Sequence, residues 1–234
     1  MQVTAVGRTD LGRTRDHNED TFLVADLSSK DGAPRAQLMA ERVGERGVLF
    51  LVAEGIGGAA AGELASAMAA DLIYGHLSGV WVEDPETSVE RFTWRLREAV
   101  ELANQHIHAY AKAHPEVRGM GTTATVAGLF GHALYLAQVG DSRAYLVRGG
   151  KAVQLTKDQS LMQRLVDAGE LTEEEAAASE RRNIILQALG PDPAIKVELT
   201  HQVLRAGDVL GLCSDGPSNQ VKRDEVAGVA GRHA

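Results

Sequence analysis

Cysteine occurs once in the 234 residues, at Cys213, so no disulfide can form within the chain and nothing marks an oxidising compartment. Aromatic residues are scarce, at 4%. A core must therefore be assembled from Val, Leu, Ile and Ala. No block rich in Lys and Arg stands out, and 32 acidic residues outnumber 24 basic ones for a formal net charge of -8. That balance argues against nucleic acid or an anionic membrane as the main partner. No apolar run approaches the length that spans a bilayer, and residues 1–6 lack the basic region and long apolar stretch of a signal peptide. A cytoplasmic location is expected. What is present is ordinary for a globular protein, with 44% apolar and 24% charged residues in a length that suits one large domain.

Along the chain, a turn at Asp10-Leu11-Gly12 precedes a short strand at 21–25, and a polar loop covers 28–34. Residues 48–53 form a continuous apolar run, whose length predicts a buried strand ending just before Glu54-Gly55. Leu64, Met68, Leu72 and Leu77 recur at helical spacing. So do Val89, Phe92, Leu96, Val100, Ala103, Ile107 and Tyr110, in a helix that Thr87 and Glu90 would cap and Pro115 would close. Short apolar segments separated by Gly-rich turns predict antiparallel hairpins at 123–129, 134–139, 143–147 and 152–155. A helical excursion is expected at 161–168, followed by a second capping box at Thr172 and Glu175. Alternation at Ile195, Val197 and Leu199 and the apolar run 209–213 predict two more strands. Helices segregated from antiparallel sheets, with no repeat or long linker, define one α+β domain over 1–234.

Acidic residues stand where these apolar segments end. Glu54 follows 48–53, Asp141 follows 134–139 through Gly140, and Asp215 follows 209–213. Each adjoins a glycine, which permits a tight turn and a close backbone approach to a ligand. Singly, such dipeptides are ordinary turn signals; together they suggest more. Carboxylates gathered at one rim of a sheet repel each other unless a cation neutralises them or some take up protons. Oxygen ligands select hard ions, Mg²⁺, Mn²⁺ or Ca²⁺, over zinc. The segment Arg15-Asp16-His17-Asn18-Glu19-Asp20 adds a guanidinium close in sequence to further acids. It could grip phosphate oxygens in a bidentate fork beside a metal, or form a surface ion pair. Cys213 ends an apolar strand with no Arg-rich phosphate loop nearby, so a buried small hydrophobe is expected there rather than a thiol nucleophile.

An ordered series of short motifs runs through nearly the whole chain. It begins with Gly12-x-x-Arg15-x-x-Asn18-Glu19-Asp20, Glu54-Gly55-Ile56-Gly57-Gly58 and Gly62-Glu63-x-Ala65-Ser66. It continues through Gly119-Met120-Gly121-Thr122-Thr123, Val139-Gly140-Asp141-Ser142-Arg143 and Leu155-Thr156-x-Asp158. Ala188-Leu189-Gly190, Gly207-Asp208 and Leu212-Cys213-Ser214-Asp215-Gly216 close it. In this the chain resembles the metal-dependent serine/threonine protein phosphatases of type 2C, in particular their compact bacterial members. The resemblance implies a four-layer αββα sandwich, two antiparallel β-sheets flanked by helices. It implies hydrolysis of phosphoserine and phosphothreonine by a water activated between two Mn²⁺ or Mg²⁺ ions, with a looser third. By position, Arg15 would bind the substrate phosphate, and Asp20, with Glu19, would hold one metal directly or through water. Glu54 would be the bridging carboxylate, Gly55 would offer its carbonyl, Asp215 would ligate the other metal and Asp141 the third. Residues 157–186 correspond to a flap beside the cleft. A monomer acting on phosphorylated proteins, opposite a serine/threonine kinase, is the implied setting.

Three features depart from that pattern. The family carries Asp at the position of Glu54; the added methylene pushes the carboxylate outward by about one C–C bond, and weaker metal binding is expected, most of all for Mg²⁺. Family members continue past a segment like 224–234 into a final strand preceded by an Asp-Asn pair, so a missing C-terminal strand, a missing ligand and a gap or edge in one sheet are expected. Gln159 stands where the family often has His, and an amide cannot donate a proton near neutral pH. These departures keep open a second expectation, a catalytically impaired relative that binds phosphoproteins as a regulatory module, and a third, a hydrolase of small phosphate esters. His106, His108 and His114 are expected to be solvated or capping residues.

Overall fold

The computed structural model describes residues 1–28 and 34–231, so the polar loop expected at 28–34 lies almost wholly outside the described residues. Strands β1 (Gln2–Val6), β2 (Asp20–Asp26), β3 (Gln37–Arg42) and β4 (Val48–Ile56) come first. Helix α1 (Ala59–His76) then runs through a π-helical turn, Leu77–Trp81, towards α2 (Val89–Ala113). Strands β5 (Gly121–Thr122), β6 (Ala124–Phe130), β7 (Ala133–Val139), β8 (Arg143–Arg148) and β9 (Lys151–Gln154) lead to the short helices α3 (Leu161–Asp167) and α4 (Glu173–Ala178). Strands β10 (Glu198–Val203) and β11 (Val209–Cys213) and helices α5 (Asp215–Ser218) and α6 (Arg223–Ala230) follow.

The first sheet is antiparallel, in the order β10-β7-β6-β4-β2, with β5 attached to the end of β4. One face is covered by α1 and α2. There Leu23, Leu51, Val126 and Ala137 meet Ile73, Leu96, Val100 and Ile107 in one continuous core. Fully buried side chains such as Leu51 and Leu96 contribute about 1.5–3 kcal/mol each relative to exposure. Four aromatics, Trp81, Phe92, Phe130 and Tyr135, cluster in this layer, where Phe92 lies 5.1 Å from Trp81 and 5.0 Å from Phe130 between ring centroids. The other face packs on two ribbons, β1–β3 through Val24, Leu38, Val48 and Leu129, and β11-β8-β9 through Ala127, Leu134, Leu136 and Ala144. Helix α6 lies against β9 and β8, which completes the helix–sheet–sheet–helix order. Among the described residues no strand joins the two ribbons.

Several elements differ from expectation for identifiable reasons. Strand β4 does not stop before Glu54: Asp20 of β2 faces Glu54, and Thr122 and Gly121 of β5 pair with Gly55 and Ile56, which carries the ladder to the acidic rim. Helix α2 is capped by Ser88 rather than Thr87, because the extended Ser88 backbone places its Oγ 3.1 Å from the Arg91 N–H. Strand β10 starts at Glu198, although alternation begins at Ile195. The backbone of Lys196 is already taken, its N–H by Gln187 Oε1 at 2.8 Å and its carbonyl by Gln187 Nε2 at 2.8 Å. The β1–β3 ribbon was not anticipated; its strands are half-exposed and their pairing slips at a bulge between Val3 and Ala5, so neither shows a clean apolar alternation. The capping box at Thr172 and Glu175 is formed as expected, with both reciprocal bonds in place.

Candidate metal centre

The rim is built where strand pairing ends. Asp20 opens β2, and its carboxylate Oδ2 accepts a 2.6 Å hydrogen bond from Ser214 Oγ in the β11–α5 junction. The turn before β2 is set by Asn18, whose Oδ1 accepts from the Asp20 N–H at 3.1 Å and whose amide donates to Thr9 Oγ1 at 2.8 Å. Glu54 faces Asp20 from β4. Its Oε2 accepts from the Asp215 N–H at 2.9 Å and lies 3.4 Å from Ser142 Oγ, so one side chain links β4 to the start of α5 and to the β7–β8 turn. Gly55 donates its N–H to the Glu19 carbonyl at 3.0 Å. It must be glycine, since a Cβ there would run into the Gly62 backbone of α1. The Glu19 carboxylate lies in turn against Gly62.

Asp141 follows Gly140, which holds a φ of 100° and would bring a Cβ within 2.6 Å of Thr123 Cγ2. The Asp141 side chain is buried and its Oδ1 has no hydrogen-bond partner among the described residues. An uncompensated buried carboxylate oxygen is costly. The energetics of the cluster agree. Burial, then the charge of Asp215, pushes Glu54 up to about 9. Burial, then Asp215 and Asp158, raises Asp141 to about 7. Asp20 is raised by burial and by Asp215, against the lowering effect of Ser214. Asp215 is thus the common neighbour through which four segments repel.

Beneath the rim lies a layer of buried polar groups. Thr125 Oγ1 donates to Gln138 Oε1 at 2.7 Å, and Gln138 Nε2 donates to the carbonyls of Ser142 at 2.8 Å and Gly140 at 3.1 Å. Thr123 Oγ1 accepts from the Glu54 N–H at 3.0 Å and meets Ser142 Oγ at 2.8 Å. At the edge, Arg143 Nη2 holds Asp158 Oδ2 at 2.6 Å. Gln138 is not marked by the apolar pattern of 134–139; a buried amide within that run is its only signal in the sequence. Ser214 and Ser142 were seen only as letters of motifs.

Of the expected site residues, the structure gathers Asp20, Glu54, Asp141 and Asp215, with Gly55 next to Glu54 on β4. Arg15 is exposed in the loop before β2 and makes no hydrogen bond or ion pair among the described residues, so the surface ion pair is not formed. Cys213 is half-buried in β11 and burial raises its thiol to about 11, which disfavours a thiolate. His114 caps α2, with Nδ1 2.9 Å from the Tyr110 carbonyl, His108 Nδ1 lies 2.8 Å from the Gly190 carbonyl, and His106 is exposed.

No three His, Cys, Asp or Glu side chains among the described residues close tightly enough to hold an ion by themselves. An ion that keeps several water ligands and takes one or two carboxylates with a backbone carbonyl does not need them to. The oxygen-only donors, the orphaned Asp141 oxygen and the proton-hungry carboxylates fit such a hard cation.

An antiparallel sandwich with an all-oxygen acidic cluster at one rim defines a scaffold for hard-cation chemistry. Residues 13–165 match the protein phosphatase 2C family, and the chain belongs to that family. It is 38% identical over 221 residues to the serine/threonine phosphatase stp of Listeria welshimeri, a match covering 94% of this chain and 79% of the relative. The crystal structure of serine/threonine phosphatase Stp1 from Staphylococcus aureus aligns with a TM-score of 0.79 at 30% identity, covering 97% of this chain and 81% of that one. The catalytic domain of the phosphatase PstP, in complex with 2 manganese ions, aligns with a TM-score of 0.73 at 34% identity over 99% and 89% of the two chains. Each of these relatives is named as a phosphatase, and nothing in them favours an impaired binding module. No helix among the described residues is long and apolar enough to cross a membrane.

Proposed function

We propose that this chain is a metal-dependent phosphatase that removes phosphate from phosphoserine and phosphothreonine in proteins, as a single cytoplasmic, monomeric domain working opposite a serine/threonine kinase. The observation that carries the reading is the gathering of Asp20, Glu54, Asp141 and Asp215 at one rim, with the buried Asp141 Oδ1 left without a partner among the described residues; burial first, and the charge of Asp215 after it, raises Glu54, Asp141 and Asp20. Such a cluster takes up either protons or cations. Asp20, Glu54, Asp141 and Asp215 would hold Mn²⁺ or Mg²⁺, with the Gly55 carbonyl, and Glu19 through water. When bound, such ions supply a water of lowered pKa and neutralise charge on the transferring oxygens.

The chain's own groups do the rest. Ser214 and Asn18 fix the rotamer and backbone of Asp20. Arg15, exposed and unpaired, grips the substrate phosphate, and residues 157–186 border it as a flap. The test is Mn²⁺-dependent release of phosphate from a phosphothreonine peptide, compared with an aryl phosphate. Arg15→Ala is expected to raise KM for the peptide about tenfold or more, the worth of a charge-assisted contact, with Mn²⁺ affinity unchanged. Absence of Mn²⁺-dependent turnover in the wild-type chain would refute the reading.

Glu54 has a separate expected consequence. Its longer side chain reaches the Asp215 N–H, a donor that competes with a cation for the same oxygen. Glu54→Asp is expected to tighten Mn²⁺ binding, and Mg²⁺ binding by more, on the order of tenfold, because Mg²⁺ tolerates displaced ligands least. Calorimetric titration with both ions checks this; equal affinities in the two proteins contradict it.

A further inference from the structure

We infer that Gln159 is a positioning residue that fixes the Gly140–Asp141 turn, and so sets the affinity of the ion that Asp141 helps to hold; the inference rests on the metal-site reading above. Asp141 Oδ1 has no protein donor, so the aim of the carboxylate depends on the backbone that carries it. That backbone is held from two sides. From below, Gln138 in β7 takes the Gly140 and Ser142 carbonyls, and Thr123 leaves no room for the turn to sink. From the other side, Gln159 brackets Gly140 completely: its Oε1 accepts the Gly140 N–H at 2.8 Å, and its own N–H donates to the Gly140 carbonyl at 2.9 Å.

The two restraints differ in permanence. Gln138 is buried, whereas Gln159 is half-buried at the root of the segment that carries α3 and α4. Its amide is oriented by Gln187, whose Nε2 donates to Gln159 Oε1 at 2.8 Å while both of its polar atoms hold the Lys196 backbone. The two ends of this segment run together, with Leu186 N–H donating to the Gln159 carbonyl at 2.8 Å and Leu161 N–H to the Ile184 carbonyl at 2.9 Å. Any displacement of 184–187 therefore reaches Asp141 through one amide. A restraint on the residue behind a ligand tunes metal affinity as a partner of the ligand itself does.

The test uses the full chain and Mn²⁺ alone. Calorimetric titrations of wild type, Gln159→Ala, Gln187→Ala and Asp141→Ala are run beside amide hydrogen exchange at Gly140. Gln159→Ala is expected to weaken, by about tenfold, only the binding step that Asp141→Ala abolishes, and to speed exchange at Gly140. Gln187→Ala, which leaves the acceptor in place but free to rotate, should weaken the same step by less; it carries the test if Gln159→Ala does not fold. The double variant Gln159→Ala/Asp141→Ala should bind no more weakly than Asp141→Ala. An isotherm for the glutamine variants equal to that of a Mn²⁺-binding wild type, or a uniform loss at every step, overturns the role of Gln159 and leaves the metal site standing. If wild type binds no Mn²⁺, or Asp141→Ala binds as wild type does, the metal-site reading fails and the inference falls with it.

Discussion

Replacing Asp215 with Asn is expected to cut Mn²⁺-dependent phosphate release by about 10³-fold or more, the equivalent of losing about 4 kcal/mol of charge stabilisation from one metal ligand. The change is nearly isosteric. The Asp215 N–H that holds Glu54 Oε2 at 2.9 Å is a backbone group and is kept, as is the α5 turn it begins. What disappears is the charge that, after burial, adds to the elevation of Glu54, Asp141 and Asp20. The same variant should therefore be more thermostable than wild type in metal-free buffer above pH 7, and should lose the stabilising response to Mn²⁺. Loss of activity with a gain in metal-free stability is the signature of a residue kept for function against the interest of the fold. An Asn variant with normal turnover, or one that merely unfolds, would remove Asp215 from the role proposed for it.

Metal-free protein should lose stability as pH rises across the neutral range, and Mn²⁺ should restore it. Glu54 ionises near 9 and Asp141 near 7 in the folded state, against ordinary values of 4.5 and 3.8. Between those limits the folded chain binds more protons than the unfolded chain, so the slope of unfolding free energy with pH is negative. The contribution is fully present below about pH 4 and is lost as pH climbs through 7 and then 9. A divalent ion takes the place of the protons. At free Mn²⁺ about a hundred times its dissociation constant, binding adds about 2.7 kcal/mol, which for a chain of this length raises Tm by about 5–10 °C. The rise should be larger at pH 8 than at pH 6, where protons compete. Thermal unfolding at both pH values, with and without Mn²⁺, measures it. A Tm indifferent to both pH and Mn²⁺ contradicts the electrostatic account of the site.

The sandwich was legible because its apolar pattern is strong. Residues 48–53 and 134–139 are largely buried strands, 209–213 is a half-buried one, and the stripe from Phe92 to Ile107 packs on the first sheet as its spacing predicts. The acidic residues could be picked out because each carboxylate stands beside a glycine at the end of such a run. Three things were not legible. Glu54 lies within β4 because Gly55 and Ile56 pair with β5, a contact between segments far apart in sequence. The β1–β3 ribbon is too exposed and too irregular to leave a periodic trace. Gln138, Gln159 and Gln187 look like ordinary polar residues until their amides are seen to hold Gly140 and Lys196.

The sequence by itself determined the class of fold, the candidate ligands and the order in which they occur, since periodicity and turn chemistry are local and survive in one dimension. Only the tertiary structure decided how the carboxylates act on one another. Burial raises Glu54, Asp141 and Asp20 and the charge of Asp215 adds to each, because desolvation and electrostatic coupling are set by strands that meet only after folding.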